Sequence, residues 1–459
     1  MPRLRRTPVA NRLREHRLAL GLDQREVAEQ LGALTKKEIG LDAHAVSRHE
    51  RGLHRPHRFY RQLYCRLYNT TEAELWPRTP SLSVRNAGKP VSAEAARDPV
   101  LVASWDPGGT VEAAVALTGS GGLVERRTFL FLTGAALTAP AHQWLVHEPG
   151  PLAAALQGDR VTSQLADRLP PMISELRRMD DAHSPRVVLS LAERDFGWVS
   201  GLLNQGSYDE ETGRRLHLAL AELGQVVGYT AYDLGDHGRA QRFYMTALRA
   251  AHTAGDRLLG AHILKCMAEQ SADLGHPQDA LILIDSALAG TRGTTPPGQA
   301  ALLHSWRARA QAALGDEPAC TASISVAQTC AERIEPKHNP PWLYWLSHAD
   351  IVTKAGEALL QAGQPQRAEP FLERGIGALP ADRHVGDQQV FLTRLASAQL
   401  QNGKLDGAAA SGLRALDLAT QRSSQRSIGQ IRTLYRQMKP HGGVAAASEF
   451  LDRARELVA

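Results

Sequence analysis

The sequence predicts an all-α protein, with a small basic helical domain at the N-terminus and a long helical solenoid behind it. Three observations carry this. The apolar residues are mostly Ala, Leu and Val, and aromatics make up only 5% of the 459 residues, a composition that favours helix over sheet. Glycines recur through the C-terminal half at a nearly fixed step. The charge is also uneven. Residues 1–78 hold 16 Lys or Arg against 9 Asp or Glu, a net +7, while the remaining 381 hold 37 against 39, a net −2. A basic end on a near-neutral body points to one segment that meets a polyanion.

The composition also excludes classes. Hydrophobic residues are 43% and charged residues 22%, which describes a globular chain and not a disordered one. The four cysteines, Cys65, Cys266, Cys320 and Cys330, form no C-x-x-C pair and no Cys/His metal spacing. A disulfide scaffold and a zinc ribbon are therefore not expected, and a cytoplasmic location is. The N-terminal MPRLRRTPVANRLREHR lacks the apolar run of a secretory signal. One internal stretch, Glu125 to Leu132 followed by TGAALTAPAHQWLV, resembles a twin-arginine export signal. It begins behind a folded domain, and Gly134, Pro140, His142 and Gln143 interrupt it. A buried or docking helix is expected there and no membrane contact, with membrane association through 128–146 as the alternative.

In chain order, the first helix is expected from Ala10 to Leu20, stopped by Gly21. Asp23 caps a second helix, Gln24–Leu31, with Glu26 completing a capping box and Val27, Ala28 and Leu31 on its inner face. Asp42 caps a third helix running to Arg51. Val46 points inward there, and Ala43, His44, Ser47 and Arg48 point outward. Pro56 starts a fourth helix, and Thr71 and Glu74 open a last capped turn. Residues 79–125, rich in Pro, Gly, Ser and Ala, read as a flexible linker with one short helix near 111–117. Residues 126–185 are a connecting helical segment, and 186–459 are the solenoid.

The N-terminal segment resembles the phage-repressor (Cro/C1, or XRE) helix-turn-helix family. The matching residues are Leu20-Gly21-Leu22-Asp23-Gln24, Val27-Ala28, and Val46-Ser47-Arg48-His49-Glu50-Arg51-Gly52 with Pro56 behind them. The resemblance implies a five-helix DNA-binding domain at 1–78. It places Ala43, His44, Ser47 and Arg48 against base edges in the major groove, with Gln24, Arg51 and Arg55 on phosphates. It also implies that Arg17 pairs with Glu50, a structural role. The turn between the two central helices holds an insert, Ala33 to Gly40, longer than the family's. Lys36 and Lys37 within it either add phosphate contacts or form a solvated loop. A single such domain covers little DNA, so a homodimer on double-stranded DNA is expected.

The repeats align on G-(x4)-A-(x6)-A/G-hydrophobic. Gly235, Ala240, Ala247 and Leu248 open the series, and Gly275, Ala280, Ala287 and Leu288 follow. Then come Gly315, Cys320 and Ala327; Gly363, Ala368, Gly375 and Ile376; and Gly403, Ala408, Ala415 and Leu416. The glycine step is 40, 40, 48 and 40 residues. Each unit reads as helix, Gly turn, helix, the glycine taking the left-handed position that ends the first helix. The unit GYTAYDLGDHGRAQRFYMTALRAA resembles a tetratricopeptide repeat (TPR), through Gly228, Gly235, Ala240, Tyr244 and Ala247. It departs in period, since ~34 residues is usual for that family. Residues 186–230 look like a preceding degenerate repeat.

In that family's register the concave face would include Gln225, Tyr229, Lys265, Glu269, Arg309, Thr353 and Glu357. This polar row either holds an extended peptide or is simply solvated. Trp342, Tyr344 and Trp345 follow Pro340-Pro341 and are expected to enter a helix and serve interhelix packing, with a ligand pocket as the alternative. P-loop, H-E-x-x-H and G-x-S-x-G motifs are absent. No catalytic residue, metal ligand or cofactor site is expected. The sequence thus reads as a DNA-binding transcriptional regulator, not an enzyme. Its TPR-like solenoid would sense a peptide or protein partner or mediate oligomerisation. The alternative is an interaction scaffold with a decayed helix-turn-helix.

Overall fold

The computed structural model describes residues 13, 16–17, 20, 22–35, 41–50, 56–68, 70, 75, 98–118, 131–150, 152, 157–379, 385–420 and 424–458. They divide into two units, 1–89 and 90–459.

In the first unit, α1 spans Gln24–Ala33, α2 Ala43–Glu50 and α3 Arg58–Leu67. Asp23 starts α1 by accepting the amides of Arg25 and Glu26 at 2.7 and 2.8 Å, and the Glu26 carboxylate takes the Asp23 amide at 2.6 Å. The capping box is complete. Asp42 starts α2 through the Ala45 amide at 2.7 Å. Val27, Ala28 and Leu31 of α1 meet Val46 of α2, and Leu13, Leu63, Tyr64 and Leu75 close this core. The expected first helix is described only at Leu13, His16 and Arg17, all helical, and at Leu20, a turn. Lys36, Lys37, Arg51, Arg55 and the expected turn at 71–74 lie outside the described residues.

The second unit opens with α4 (Pro99–Val102), α5 (Pro107–Thr118) and α6 (Ala135–Val146). Residues 98–118 of the stretch read as a linker are therefore packed structure, and the short helix expected near 111–117 lies within α5. The reason lies in the solenoid, where Arg242 and Arg249 are buried and must find acceptors. Arg242 donates to Asp98 at 2.9 Å, and Arg249 donates to the carbonyls of Ser104 and Val100 at 2.9 and 3.3 Å. The Thr110 and Thr253 hydroxyls meet at 2.9 Å. Helix α6 is the expected docking segment. Its Leu137, Ala141 and Trp144 are buried, and the Trp144 indole lies over Gly260 and Gly290, where a methyl group would collide with it. Residues 125–130 lie outside the described residues. Among the described residues, no helix is long and apolar enough to cross a membrane.

Next come β1 (Asp159–Arg160), α7 (Ser163–Ala166), α8 (Leu169–Ala182), α9 (Pro185–Gln205) and β2 (Gly206–Ser207), the two short strands pairing in parallel. Twelve helices then form six hairpins: α10 (Glu210–Asp233) with α11 (His237–Thr253), α12 (Arg257–Asp273) with α13 (Pro277–Gly290), α14 (Pro297–Ala313) with α15 (Glu317–Ala331), α16 (His348–Gln361) with α17 (Pro365–Gly377), α18 (Val385–Gln401) with α19 (Leu405–Ala419), and α20 (Gln425–Met438) with α21 (Ala445–Val458). Gly235, Gly275, Gly315, Gly363 and Gly403 turn the first five, all at φ between 73° and 83°, the left-handed region where a side chain is strained. Arms of up to 17 residues in the inner hairpins account for a step of 40. The step of 48 holds an insert of two 3-10 turns, Pro336–His338 and Pro341–Leu343. Trp342 is packed in the main core from this insert. It sits in the second 3-10 turn and does not enter an α-helix, since α16 starts only at His348 behind a Ser347–Asp350 capping box. Nor is 186–230 a separate degenerate repeat: α9 is one long helix packed on α10, which is already the first arm of the first hairpin.

The first arms, α10, α12, α14, α16, α18 and α20, contact one another in that order, and α20 returns to contact α10. The inner wall of the solenoid therefore closes on itself.

Candidate functional site

Two cavities, both partly open to solvent, lie along the inner wall, one of about 560 Å³ and one of about 110 Å³. Gln225, Tyr229, Lys265 and Glu269 of the expected groove line the smaller, and Arg309 and Glu357 line the larger. Thr353 does neither. It is fully buried against Gly375 of α17, and its hydroxyl donates to the Ala349 carbonyl at 2.9 Å. The missing side chain at Gly375 draws α17 so close that Thr353 becomes a packing residue.

The wall is held by ion pairs. Arg426, near the start of α20, donates to Glu269 and to the Tyr229 hydroxyl, both at 3.0 Å, and pairs with Asp233 at 2.8 Å. Its guanidinium lies over the rings of Tyr229 and Tyr232 at 5.4 and 5.3 Å. Ser424 adds a bond to the Asp233 carbonyl at 3.3 Å. Burial works against the Arg426 charge, but the facing hydroxyl and carboxyl groups hold its pKa well above the usual arginine value. This one side chain joins the last hairpin to the first two. It also lines the larger cavity while its partners Tyr229 and Glu269 line the smaller, so it stands at their boundary.

Other pairs follow the same pattern. Asp273 receives the Tyr232 hydroxyl and the Arg309 guanidinium. Burial opposes both charges, yet Arg309 holds the Asp273 carboxyl below its ordinary pKa, and Asp273 and Glu357 hold Arg309 above its own. Lys265 donates to Glu269 at 3.1 Å. Burial, aided by Lys265 and Arg177, pushes His262 well below the ordinary histidine value, so it is neutral in the wall. Burial also pushes the Cys266 thiol up, which leaves it unreactive. Among the described residues, no group of three or more His, Cys, Asp or Glu could hold a metal.

Sequence reasoning missed Arg394 and Arg426, although part of the signal was present. Carrying the 40-residue step on from Thr353 and Glu357 gives Thr393 and Ser397, then Thr433 and Gln437, and all four line the larger cavity.

In the first unit, His44 and Arg48 are exposed on α2, while Ala43 and Ser47 beside them are half-buried. Arg17 donates to Glu50 through Nε at 2.6 Å and Nη2 at 3.2 Å, the expected pair. The bond to Glu50 raises the Arg17 pKa against the effect of burial. Gln24, expected on a phosphate, gives its amide nitrogen to Glu50 at 2.7 Å. One buried carboxylate thus fixes the start of α1 against the end of α2.

Hairpins stacked in this way define an all-α helical-repeat protein of TPR-like architecture. No protein-family model matches the chain, and no curated protein is similar to it. Among solved structures, it is similar to BtubC (BKLC) from P. vanneervenii, with 17% identity over 50% of this chain and 89% of that one, at a TM-score of 0.37. It is also similar to the nearly identical TPR-like repeats described as kinesin light chain from Podosopora anserina, with 18% identity over 43% of this chain and 93% of that one, at a TM-score of 0.32. These likenesses concern helical repeat arrays and carry no argument about function.

Proposed function

We propose that the repeat unit is an interaction module that engages a polypeptide partner, and that the protein performs no catalytic step. The observation that carries this is the inner wall. Six helix arms present polar side chains to two cavities, and that wall is where a stacked-repeat protein places a binding surface. Backbone amides of an extended segment would find partners such as Gln225, which lines the smaller cavity. The test is selection of a displayed peptide library on the purified chain, followed by titration of recovered peptides. Gln225→Ala should weaken them; peptides that bind wild type and variant alike refute the placement.

A second reading assigns the first unit to double-stranded DNA, which makes the protein a transcriptional regulator. It is favoured by the exposed His44 and Arg48 above the buried Val46, within a stretch of net charge +7. Arg48 can make the bidentate contact to guanine, and His44 can donate or accept. Gln24 reaches a phosphate only by releasing Glu50. Lys36, Lys37, Arg51 and Arg55 complete the proposed phosphate contacts, and a homodimer on two half-sites is the proposed assembly. Arg48→Ala should weaken binding to a selected operator more than binding to random DNA, and retention should fall steeply with salt. Equal loss on every sequence refutes base reading by Arg48.

A further inference from the structure

The acids of the inner wall are not equally satisfied. Asp273, Glu269 and Asp233 each face a cation or hydroxyl within about 3 Å, as described above. Glu357 differs. Its side chain is only 6% exposed, yet its nearest cations are Arg394 Nε at 3.7 Å and Lys354 Nζ at 4.0 Å. Among the described residues it receives no hydrogen bond. Arg394 faces it from α18, the next helix of the inner wall. Its guanidinium has no hydrogen bond among the described residues, and its ion pair there is the long one to Glu357. Burial and the neighbouring Arg309 cation lower its pKa. A buried charge with open hydrogen-bonding positions is costly, and here the buried Glu357 stands beside the part-exposed Arg394, of opposite sign, on the wall of the 560 Å³ cavity.

That volume falls within the ~300–1,000 Å³ of sites for small molecules. The wall and the Arg426 contact bound the cavity, which stays partly open to solvent. The rest of the lining includes Gln361, Gln401, Ser397, Thr433 and Gln430, and Gln430 Oε1 is buried without a partner. An apolar ligand would desolvate Glu357 and Arg394 further. A simple anion meets Glu357, and a simple cation meets Arg394. Only a molecule with both charges close together answers both.

We propose that this cavity binds a small zwitterion of the α-amino-acid type, its ammonium on Glu357, its carboxylate on Arg394, and a polar substituent among the glutamines. Ammonium and carboxylate on one carbon suit two side chains only 3.7 Å apart, a span the two ends of an extended peptide cannot serve together. The site is independent of the polypeptide partner proposed above.

The test uses the full chain. The free L-amino acids are screened singly at millimolar concentration by thermal shift, and the best is titrated calorimetrically beside its N-acetyl and amide derivatives. At least one amino acid should raise the melting temperature by mass action. Each derivative should bind at least about tenfold more weakly, because it forfeits a charge-assisted bond. Glu357→Gln should erase the discrimination against the N-acetyl form, and Arg394→Gln that against the amide. No shift with any amino acid, or derivatives that bind as well as the parent, overturns the proposal. The ligand derivatives are compared on wild-type protein, so a misfolded variant does not blunt the test. Loss of library-selected peptide binding without loss of amino-acid binding refutes only the partner reading.

Discussion

Arg426→Ala is the perturbation that best tests the closed inner wall. The side chain is 12% exposed and meets Asp233, Glu269 and the Tyr229 hydroxyl, residues 157 to 197 positions earlier in the chain. Removing one member of a buried ion pair costs ~3–5 kcal/mol, because the other charge is left without its partner. Glu269 keeps Lys265 at 3.1 Å, and water reaches Asp233 once α20 swings away. The loss is thus limited by the cost of undocking the last hairpin, and we take the lower end, about 3 kcal/mol. That corresponds to roughly a hundredfold rise in the opening of the closure. Hydrogen exchange should report it as a rise of that size at amides of 425–438, with the hairpins at 257–331 little changed. At about 2 °C per kcal/mol for a large unit, the melting temperature should fall by about 6 °C. Arg426→Lys keeps the charge without the planar fork, so an intermediate effect is expected. Unchanged exchange at 425–438 together with an unchanged melting temperature would show that Arg426 does not hold the wall closed.

Two further predictions concern the same unit. Trp144→Ala empties the hollow over Gly260 and Gly290 and should cost ~3–5 kcal/mol in denaturant unfolding; a cost below about 1 kcal/mol would mean that α6 is not docked as described. Stability should also fall in mild acid. Burial, then Arg257, His147 and Arg249, pushes His252 down to about 4, and burial lowers His217 and His262 in the same direction. The unfolded chain takes up protons near 6.5 while the folded chain does not. Stability is thus complete above pH 6.5 and is lost as pH falls from there towards about 4. His252→Leu should flatten the dependence of melting temperature on pH in that window, and parallel curves for variant and wild type would refute the assignment.

Closure also changes the type of solenoid. In an open array each repeat touches only its neighbours. Here α20 touches α10, which couples the two ends and adds contacts of long sequence separation. Such contacts slow folding, because the loop entropy must be overcome before they form.

Much of the architecture was legible in the sequence because it is local. The glycine step marks the five turns, and a left-handed residue at the end of a helix is a property of a few consecutive positions. Asp23 with Glu26 announces α1 for the same reason, and the Arg17–Glu50 pair followed from a motif whose residues were all in view. The lining of the two cavities was legible only while its register stayed on one helix face, so it included Gln225, Tyr229, Lys265, Glu269, Arg309 and Glu357. It failed at Thr353, where Gly375 on a different helix decides the environment.

What the sequence by itself determined is which segments are helices, where they turn, and which small residues let paired helices approach. All of these depend on neighbours within one or two turns of chain. Only the tertiary structure decided that α4 to α6 pack on the solenoid, because their burial is dictated by Arg242, Arg249, Gly260 and Gly290 more than 100 residues away. It alone decided that the inner wall closes, because closure is the sum of small rotations over six hairpins and no single repeat encodes it. The charges of Glu357 and Arg394 were in the sequence from the start. That they face a shared cavity without hydrogen bonds from other described residues is a consequence of how the six arms come together.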